Sequence, residues 1–120
     1  MKYKRFEDLP VWQTAIEMGV KVYRLTEDRF FHQPGDLQDQ LRRSSLSVSQ
    51  NIAEGFERGS DSVFANSLAI AKGSSGELRT QLYIAARLDY VASEKMKVLV
   101  KQAEEISRML SGLIKRLKSS

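Results

Sequence analysis

The side chains that could catalyse a reaction or hold a metal are few in this sequence and poorly placed for either task. Cysteine is absent, and the single histidine, His32, stands beside a proline and a glycine in a predicted loop. A di-iron site in a helical bundle needs paired Glu-x-x-His motifs, and protein zinc sites draw on Cys and His. Ser44, Ser45, Ser47 and Ser49 have no evident base beside them to activate a nucleophile. We therefore expect no enzymatic activity, no metal, no cofactor and no small-molecule substrate.

Basic side chains offer a different chemistry, the binding of phosphates. The chain carries 19 Lys and Arg against 15 Asp and Glu, and the whole excess of +4 falls in residues 61–120. Such a bias permits contact with a polyanion, although a charge of this size is also ordinary for solubility. Since phosphate contacts position a protein without reading sequence, weak and sequence-tolerant binding to RNA or DNA is one hypothesis. The candidate residues are Arg42, Arg43, Lys72, Arg79, Lys115 and Arg116.

Two features limit that hypothesis. Glu77 lies close in sequence to Lys72 and Arg79, and it could neutralise part of their charge. The aromatic residues, Tyr3 and Tyr90 among them, follow no spacing typical of a base-stacking platform, so recognition of single strands by stacking is not expected.

The run Asn51–Gly55 is a second candidate site because it puts polar side chains inside a predicted helix. The plainer interpretation of Glu54 is a surface ion pair with Arg58, four residues further on. The functional alternative is a contact with another subunit or a partner protein through Asn51, Glu54 and Gly55. A protein-binding adaptor without nucleic-acid binding is therefore the alternative function.

Helix-start and turn signals divide the chain into four segments. Pro10 suits a first helical turn, Gly59 and Ser60 suggest a turn followed by an N-cap, and Ser93 precedes a further helix. Pro34 and its neighbouring glycine mark a loop. The predicted helices cover roughly 10–27, 36–58, 61–89 and 93–118.

Apolar residues recur every three or four positions in each segment, which indicates amphipathic helices. Long helices with short connections favour antiparallel neighbours, so we predict an all-α fold, a single-domain, up-and-down four-helix bundle with left-handed packing. The first helix follows a heptad frame through Trp12, Ile16, Gly19, Tyr23 and Thr26. The predicted core consists of Trp12, Ile16, Leu41, Val48, Ile52, Leu68, Leu78, Leu82, Leu99, Ile106, Leu110 and Leu113.

Pairing the second helix with the third puts small residues opposite small residues. If position numbers of facing residues sum to about 119 across the antiparallel pair, Ser44 and Ser45 lie opposite Ser75 and Ser74. This arrangement favours a tight helix crossing, and the alternative is a polar pocket of hydroxyl groups.

The helices carry more apolar side chains than one narrow stripe requires. Some widen the buried face, and the rest form a patch that a monomer seldom leaves in water. A homo-oligomer, most simply a closed ring, is therefore expected. The surplus residues are Val63, Ile70, Tyr83, Ile84, Val100, Met109 and Ile114.

The opening residues bear on localisation. Positions 1–10 hold charges where a secretion signal needs an apolar run, and no apolar stretch reaches membrane-spanning length. Together with the absence of cysteine, this predicts a cytoplasmic protein without a membrane partner.

Three motifs in order and at consistent spacing resemble a known family. They are QLRRSS at 40–45, NIAEG at 51–55 and LAIAKGS at 68–74, and the opening residues from Phe6 to Ala15 agree with them. The chain resembles the four-helix proteins first noticed as reading frames in intervening sequences of bacterial large-subunit ribosomal RNA genes.

The resemblance implies a four-helix bundle that assembles as a ring-shaped homopentamer without known catalytic activity. Accessory variability determinant proteins of diversity-generating retroelements look related, and they bind nucleic acid and a reverse transcriptase through basic surfaces. The chain departs from the family pattern at Ser75 and Gly76, which replace a more apolar pair. Arg79 stands where an acidic residue is common, which makes the third helix more basic, and His32 stands where proline is frequent.

Overall fold

The computed structural model describes residues 2–27, 31 and 36–119, and within these ranges it contains helices and no strands. A short 3-10 helix at Phe6–Asp8 precedes four α-helices that end within one or two residues of the predicted segments. His32 and the predicted loop at Pro34 lie outside the described residues. The helices are α1 (Pro10–Thr26), α2 (Asp36–Glu57), α3 (Asp61–Arg87) and α4 (Ser93–Ser119).

The helix boundaries follow from local chemistry. Pro10 occupies the first turn of α1, where its missing N–H leaves no bond unmade. Gly59 has a φ of +81°, a conformation that favours glycine, and it turns the chain after α2. The side chain of Ser60 then accepts a hydrogen bond from the backbone N–H of Val63 at 3.4 Å and caps α3.

The contacts between α2 and α3 show that these two helices are antiparallel. Ser47 of α2 meets Ser74 of α3, and Gly55, further along α2, approaches Ser67, earlier in α3. The most extensive helix contacts are between α2 and α3 and between α3 and α4, and α1 packs less extensively on α4 than on α2. The all-α four-helix fold is confirmed, and the left-handed sense of the packing stays a prediction.

The heptads predicted for α2, α3 and α4 form the core. Leu41, Val48 and Ile52 are fully buried in α2, as are Leu68 and Leu78 in α3. The same holds for Leu82, Ile106 and Leu110, and Leu99 and Leu113 are also buried. Of the surplus apolar residues, Val100 is buried, and Met109 and Ile114 pack partly against the core.

The heptad frame predicted for α1 is wrong by one residue over its first four positions, while its last member, Thr26, is buried as predicted. Ile16 is 38% exposed and Trp12 is only partly buried, while the core-facing residues are Val11, Ala15, Met18, Val22 and Thr26. The apolar arc of α1 is wide enough to fit both frames. Phe6 of the 3-10 helix packs edge-on against Trp12 at 5.3 Å between ring centroids, so Trp12 lies at the margin of the core.

Candidate nucleic-acid interface

The serines between α2 and α3 form a closely packed seam. Ser47 Oγ and Ser74 Oγ lie 2.8 Å apart, and Asn51 Nδ2 donates to the backbone oxygen of Ser47 at 2.8 Å and to its Oγ at 3.0 Å. Ser45 Oγ donates to the backbone oxygen of Arg42, one turn earlier in the same helix. These hydroxyls therefore bond to one another and to the main chain, which favours the tight crossing over a ligand pocket.

Gly55 is required for this crossing. A Cβ built on Gly55 would lie 2.7 Å from Ser67 Oγ and closer still to Ser67 Cβ, with Phe64 also within 3.2 Å. Real Cβ atoms do not approach neighbours so closely, so the α2 and α3 backbones depend on the absence of a side chain here.

Glu54 is the one member of the Asn51–Gly55 run that faces solvent. Its Oε1 pairs with Arg58 Nη2 at 3.1 Å, and the two side chains are 60% and 62% exposed. The surface ion pair expected from the spacing is therefore confirmed. Gly55 packs directly against α3, and Asn51 bonds within α2 to Ser47, which in turn meets Ser74. A partner contact at Asn51 or Glu54 stays a prediction.

Arg42 is held between α1 and α2. Its Nε donates to Thr26 Oγ1 at 2.8 Å, and its guanidinium carbon lies 4.8 Å from the centroid of the Tyr23 ring. Gln38 Nε2 donates to the backbone oxygen of Thr26 at 2.6 Å and strengthens the same junction. Arg42 is thus tied to the fold, while its neighbour Arg43 is exposed on the outer side of α2.

Arg79 is partly buried between α3 and α4. Its Nη1 lies 3.6 Å from Glu104 Oε2, and its Nε is buried without a hydrogen-bond partner among the described residues. The carboxylate paired with Arg79 therefore comes from α4, and partial neutralisation of this region by Glu77 stays a prediction. Glu77 is exposed and forms no ion pair in the described part of the chain.

Ser75 fixes how α3 and α4 face each other. Its Oγ donates to the backbone oxygen of Ala103 at 2.9 Å and accepts from Ser107 Oγ at 3.1 Å. Lys72 and Arg79 stand three residues before and four residues after Ser75, which puts both on the flank of α3 that faces α4.

Sequence reasoning named Lys115 but missed the rest of a basic stripe on α4. Lys101, Arg108 and Lys115 are exposed and seven residues apart, so they lie on one face, and Lys97 joins them one turn earlier. Because Glu104 reaches Arg79 from the adjacent turn, this stripe runs beside the α3 flank described above. A search of the sequence for basic residues seven positions apart on the outer face of the fourth helix would have found this stripe. The α3–α4 basic face consists of Lys72, Arg79, Lys97, Lys101, Arg108 and Lys115.

Acidic side chains form no cluster suited to metal binding in the described ranges. No group of three or more His, Asp or Glu side chains there is placed to hold a metal ion. The resolved pKa shifts belong to an exposed pair, in which a hydrogen bond from Arg5, 3.0 Å away, lowers the pKa of Glu7. That pair lies in the N-terminal segment, ahead of all four helices. No described helix is long and apolar enough to cross a membrane.

Comparison with known proteins gives one family match. The model of the family described as 23S rRNA-intervening sequence protein matches residues 7–112. A solved structure from Bacteroides thetaiotaomicron VPI-5482, a protein with unknown function from the S23 ribosomal protein family, is 25% identical to this chain. The match has a TM-score of 0.79 and covers 88% of this chain and 98% of the other. No curated protein matches.

Proposed function

Because the chain belongs to the 23S rRNA-intervening sequence protein family, we propose that it is a non-enzymatic, oligomeric bundle that binds nucleic acid through the α3–α4 basic face. The observation that carries this proposal is the heptad-spaced line of exposed cations on α4 beside Lys72. The 14 residue steps from Lys101 to Lys115 span about 21 Å of helix, which is about six phosphates along one strand. We place this activity in the cytoplasm, where nucleic acid is available.

The contacts in this face suit backbone binding rather than reading of sequence. Lysine ammonium groups act as point charges on phosphates, and none of the exposed cations of α4 is in an ion pair within the described residues. Arg79 supplies less, since Glu104 already neutralises much of its charge. Binding is expected to be similar for different sequences and steeply dependent on salt.

Assembly would multiply this modest charge. Separate apolar surfaces remain exposed on the described residues. One is the groove between α1 and α2, where Ile16, Val20 and Leu46 lie, and another is α3, where the exposed Ile70 and Ile84 share one side of the helix about 21 Å apart. A ring requires two different surfaces on each subunit that fit each other. A homo-oligomeric ring follows as part of the proposal, with five subunits taken from the family resemblance. Light scattering at micromolar concentration tests it, and a monomer would contradict it.

Nucleic-acid binding is tested by titrating a labelled RNA duplex at two salt concentrations. The double variant Lys101→Ala/Arg108→Ala should weaken binding for every sequence and reduce the slope of log K against log salt by about two. The matched control, Lys21→Ala/Lys95→Ala, removes the same charge from exposed positions outside the face and should leave the slope unchanged. Equal effects of the two variants would mean that the α3–α4 basic face is not the site.

A protein-binding adaptor is the second candidate, and the apolar α1–α2 groove favours it. The groove has a volume of about 310 Å³, and exposed aliphatic residues line it. Wild-type protein that forms an oligomer but binds no nucleic acid at low salt would support the adaptor over the nucleic-acid proposal.

A further inference from the structure

A cavity of about 230 Å³ lies between the start of α1 and the last third of α4. Tyr3, Pro10 and Met109 form part of its walls, so an aromatic ring and apolar side chains surround the space. Ligand pockets for drug-sized molecules are typically about 300–1,000 Å³. This smaller cavity therefore suits a single ring system, with the rest of a ligand outside.

Two arginines border the cavity with a glycine between them. Arg108, Gly112 and Arg116 are spaced four residues apart on α4, so they share one face, and the arginine Cα atoms are separated by about 12 Å along the helix. Both arginines are exposed, and neither is in an ion pair within the described ranges. A Cβ built on Gly112 would meet no atom within 4 Å. The helix surface at Gly112, between the two arginine positions, is consequently open to a ligand.

We propose that this cavity binds one nucleotide, with its base against Tyr3 and its phosphate between Arg108 and Arg116. Arginine presents a planar fork of donors that matches phosphate oxygens, and a tyrosine ring offers a stacking surface for any base. The choice of a nucleotide rests on the proposed function, because Arg108 belongs also to the α3–α4 basic face. The same chemistry is offered by a free mononucleotide and by an unpaired nucleotide at the end of a strand.

The cavity also revises an expectation drawn from the sequence. Tyr3 and Gly112 are more than 100 positions apart, and only the fold brings them to one cavity. No local spacing of aromatic residues could therefore have indicated the stacking position that we propose at Tyr3.

Filling the cavity tests the proposal without removing charge. In Gly112→Leu the new side chain occupies the space between the arginines, and the change should favour helix formation, since glycine is a poor helix former. The matched control is Gly73→Leu, at another exposed helical glycine with no atom within 4 Å of a built Cβ. Thermal melting of both variants checks that the bundle is intact.

The probes are adenosine monophosphate, adenosine, and a short single-stranded RNA that carries a 5′-phosphate. Binding of each probe is measured by calorimetric titration. We expect Gly112→Leu to weaken binding of the RNA at least tenfold and Gly73→Leu to leave it unchanged. If Gly112→Leu loses affinity for adenosine monophosphate by a similar factor, and adenosine binds more weakly than adenosine monophosphate, then a free nucleotide is sufficient as the ligand. If Gly112→Leu loses affinity for the RNA alone, the ligand is the end of a strand.

Two outcomes would overturn the proposal: Gly112→Leu and Gly73→Leu behave alike with every probe, or wild-type protein binds none of them. Binding of an RNA duplex separates this from the proposed function. Duplex binding depends on the exposed cations and should survive in Gly112→Leu, whereas failure of the proposed function would abolish duplex binding in the wild type.

Discussion

The α2–α3 seam and the α1–α4 junction differ in the side chains that fill them. At the seam, Gly55 and the paired hydroxyls of Ser47 and Ser74 let two backbones approach closely, and the polar groups satisfy one another. At the junction, larger apolar side chains meet over a smaller contact. Cavities of about 310 Å³ and 230 Å³ lie along it.

The seam is therefore a region of close packing, and the junction is a region where a ligand could bind. Within the Asn51–Gly55 run, whose partner contact was the alternative interpretation of the sequence, Gly55 is buried in the seam and Glu54 pairs with Arg58 at the surface. The junction holds α1 less tightly and leaves cavities bordered by cations such as Arg24 and Arg116. Gly55 at the helix crossing thus allows close packing, whereas Gly112 on an open helix face leaves space beside the helix.

The largest expected effect tests which residues of α1 belong to the core. Met18 is fully buried, as is Leu110 of α4, so Met18→Ala and Leu110→Ala should each lower the free energy of unfolding by about 2–5 kcal/mol. Urea denaturation at one fixed protein concentration measures this, since oligomerisation links stability to concentration.

The control for this experiment is Ile16→Ala, which the heptad frame predicted from sequence would make equally costly. Because Ile16 is partly exposed, the loss should stay below about 1 kcal/mol in a monomer. A loss for Ile16→Ala as large as that for Met18→Ala would mean that α1 is rotated relative to the structure or that Ile16 is buried in an oligomer.

The next effect tests how tight the seam is. Gly55→Ala should destabilise the protein by about 1–3 kcal/mol, because the added methyl overlaps Ser67 and forces α2 and α3 apart. Gly73→Ala is the matched control on an open face, and it should stabilise by up to about 1 kcal/mol through helix propensity alone. Opposite signs for the two variants, measured by urea denaturation, support the seam; a stabilising Gly55→Ala would contradict it.

A double-mutant cycle on Ser47 and Ser74 gives a smaller effect. The two hydroxyls lie 2.8 Å apart and connect α2 to α3, so the coupling free energy from the two alanine variants and their combination should be about 0.5–1.5 kcal/mol. Coupling near zero would mean that the serines contribute by their small size alone. Asn51 donates to Ser47 as well, and its replacement by alanine should reduce the measured coupling.

How much could be predicted from sequence depends on whether a signal is local. The heptads of α2 to α4, the cap at Ser60 and the Glu54–Arg58 pair follow from residues three or four apart, and the structure contains them. The frame of α1 failed over Trp12 to Tyr23 because two frames fit its apolar arc, and which one is buried depends on how α1 packs against α2 and α4. Glu104 as the partner of Arg79 could not be foreseen, since it depends on how α3 faces α4.

The smallest expected effect concerns Glu54, the exposed end of the seam region. Glutamate four residues before arginine is the favourable order on a helix, yet an exposed pair of this kind contributes only about 0.3–0.5 kcal/mol. Glu54→Gln should therefore lower the free energy of unfolding by that amount at low salt. At about 1 M salt, where the screening length falls to about 3 Å, the difference should vanish. Arg58→Gln should give the same loss, and the double variant no further loss. A larger loss that persists in high salt, or dissociation of the oligomer in Glu54→Gln alone, would show that Glu54 contacts more than Arg58 and would restore it as a subunit or partner contact.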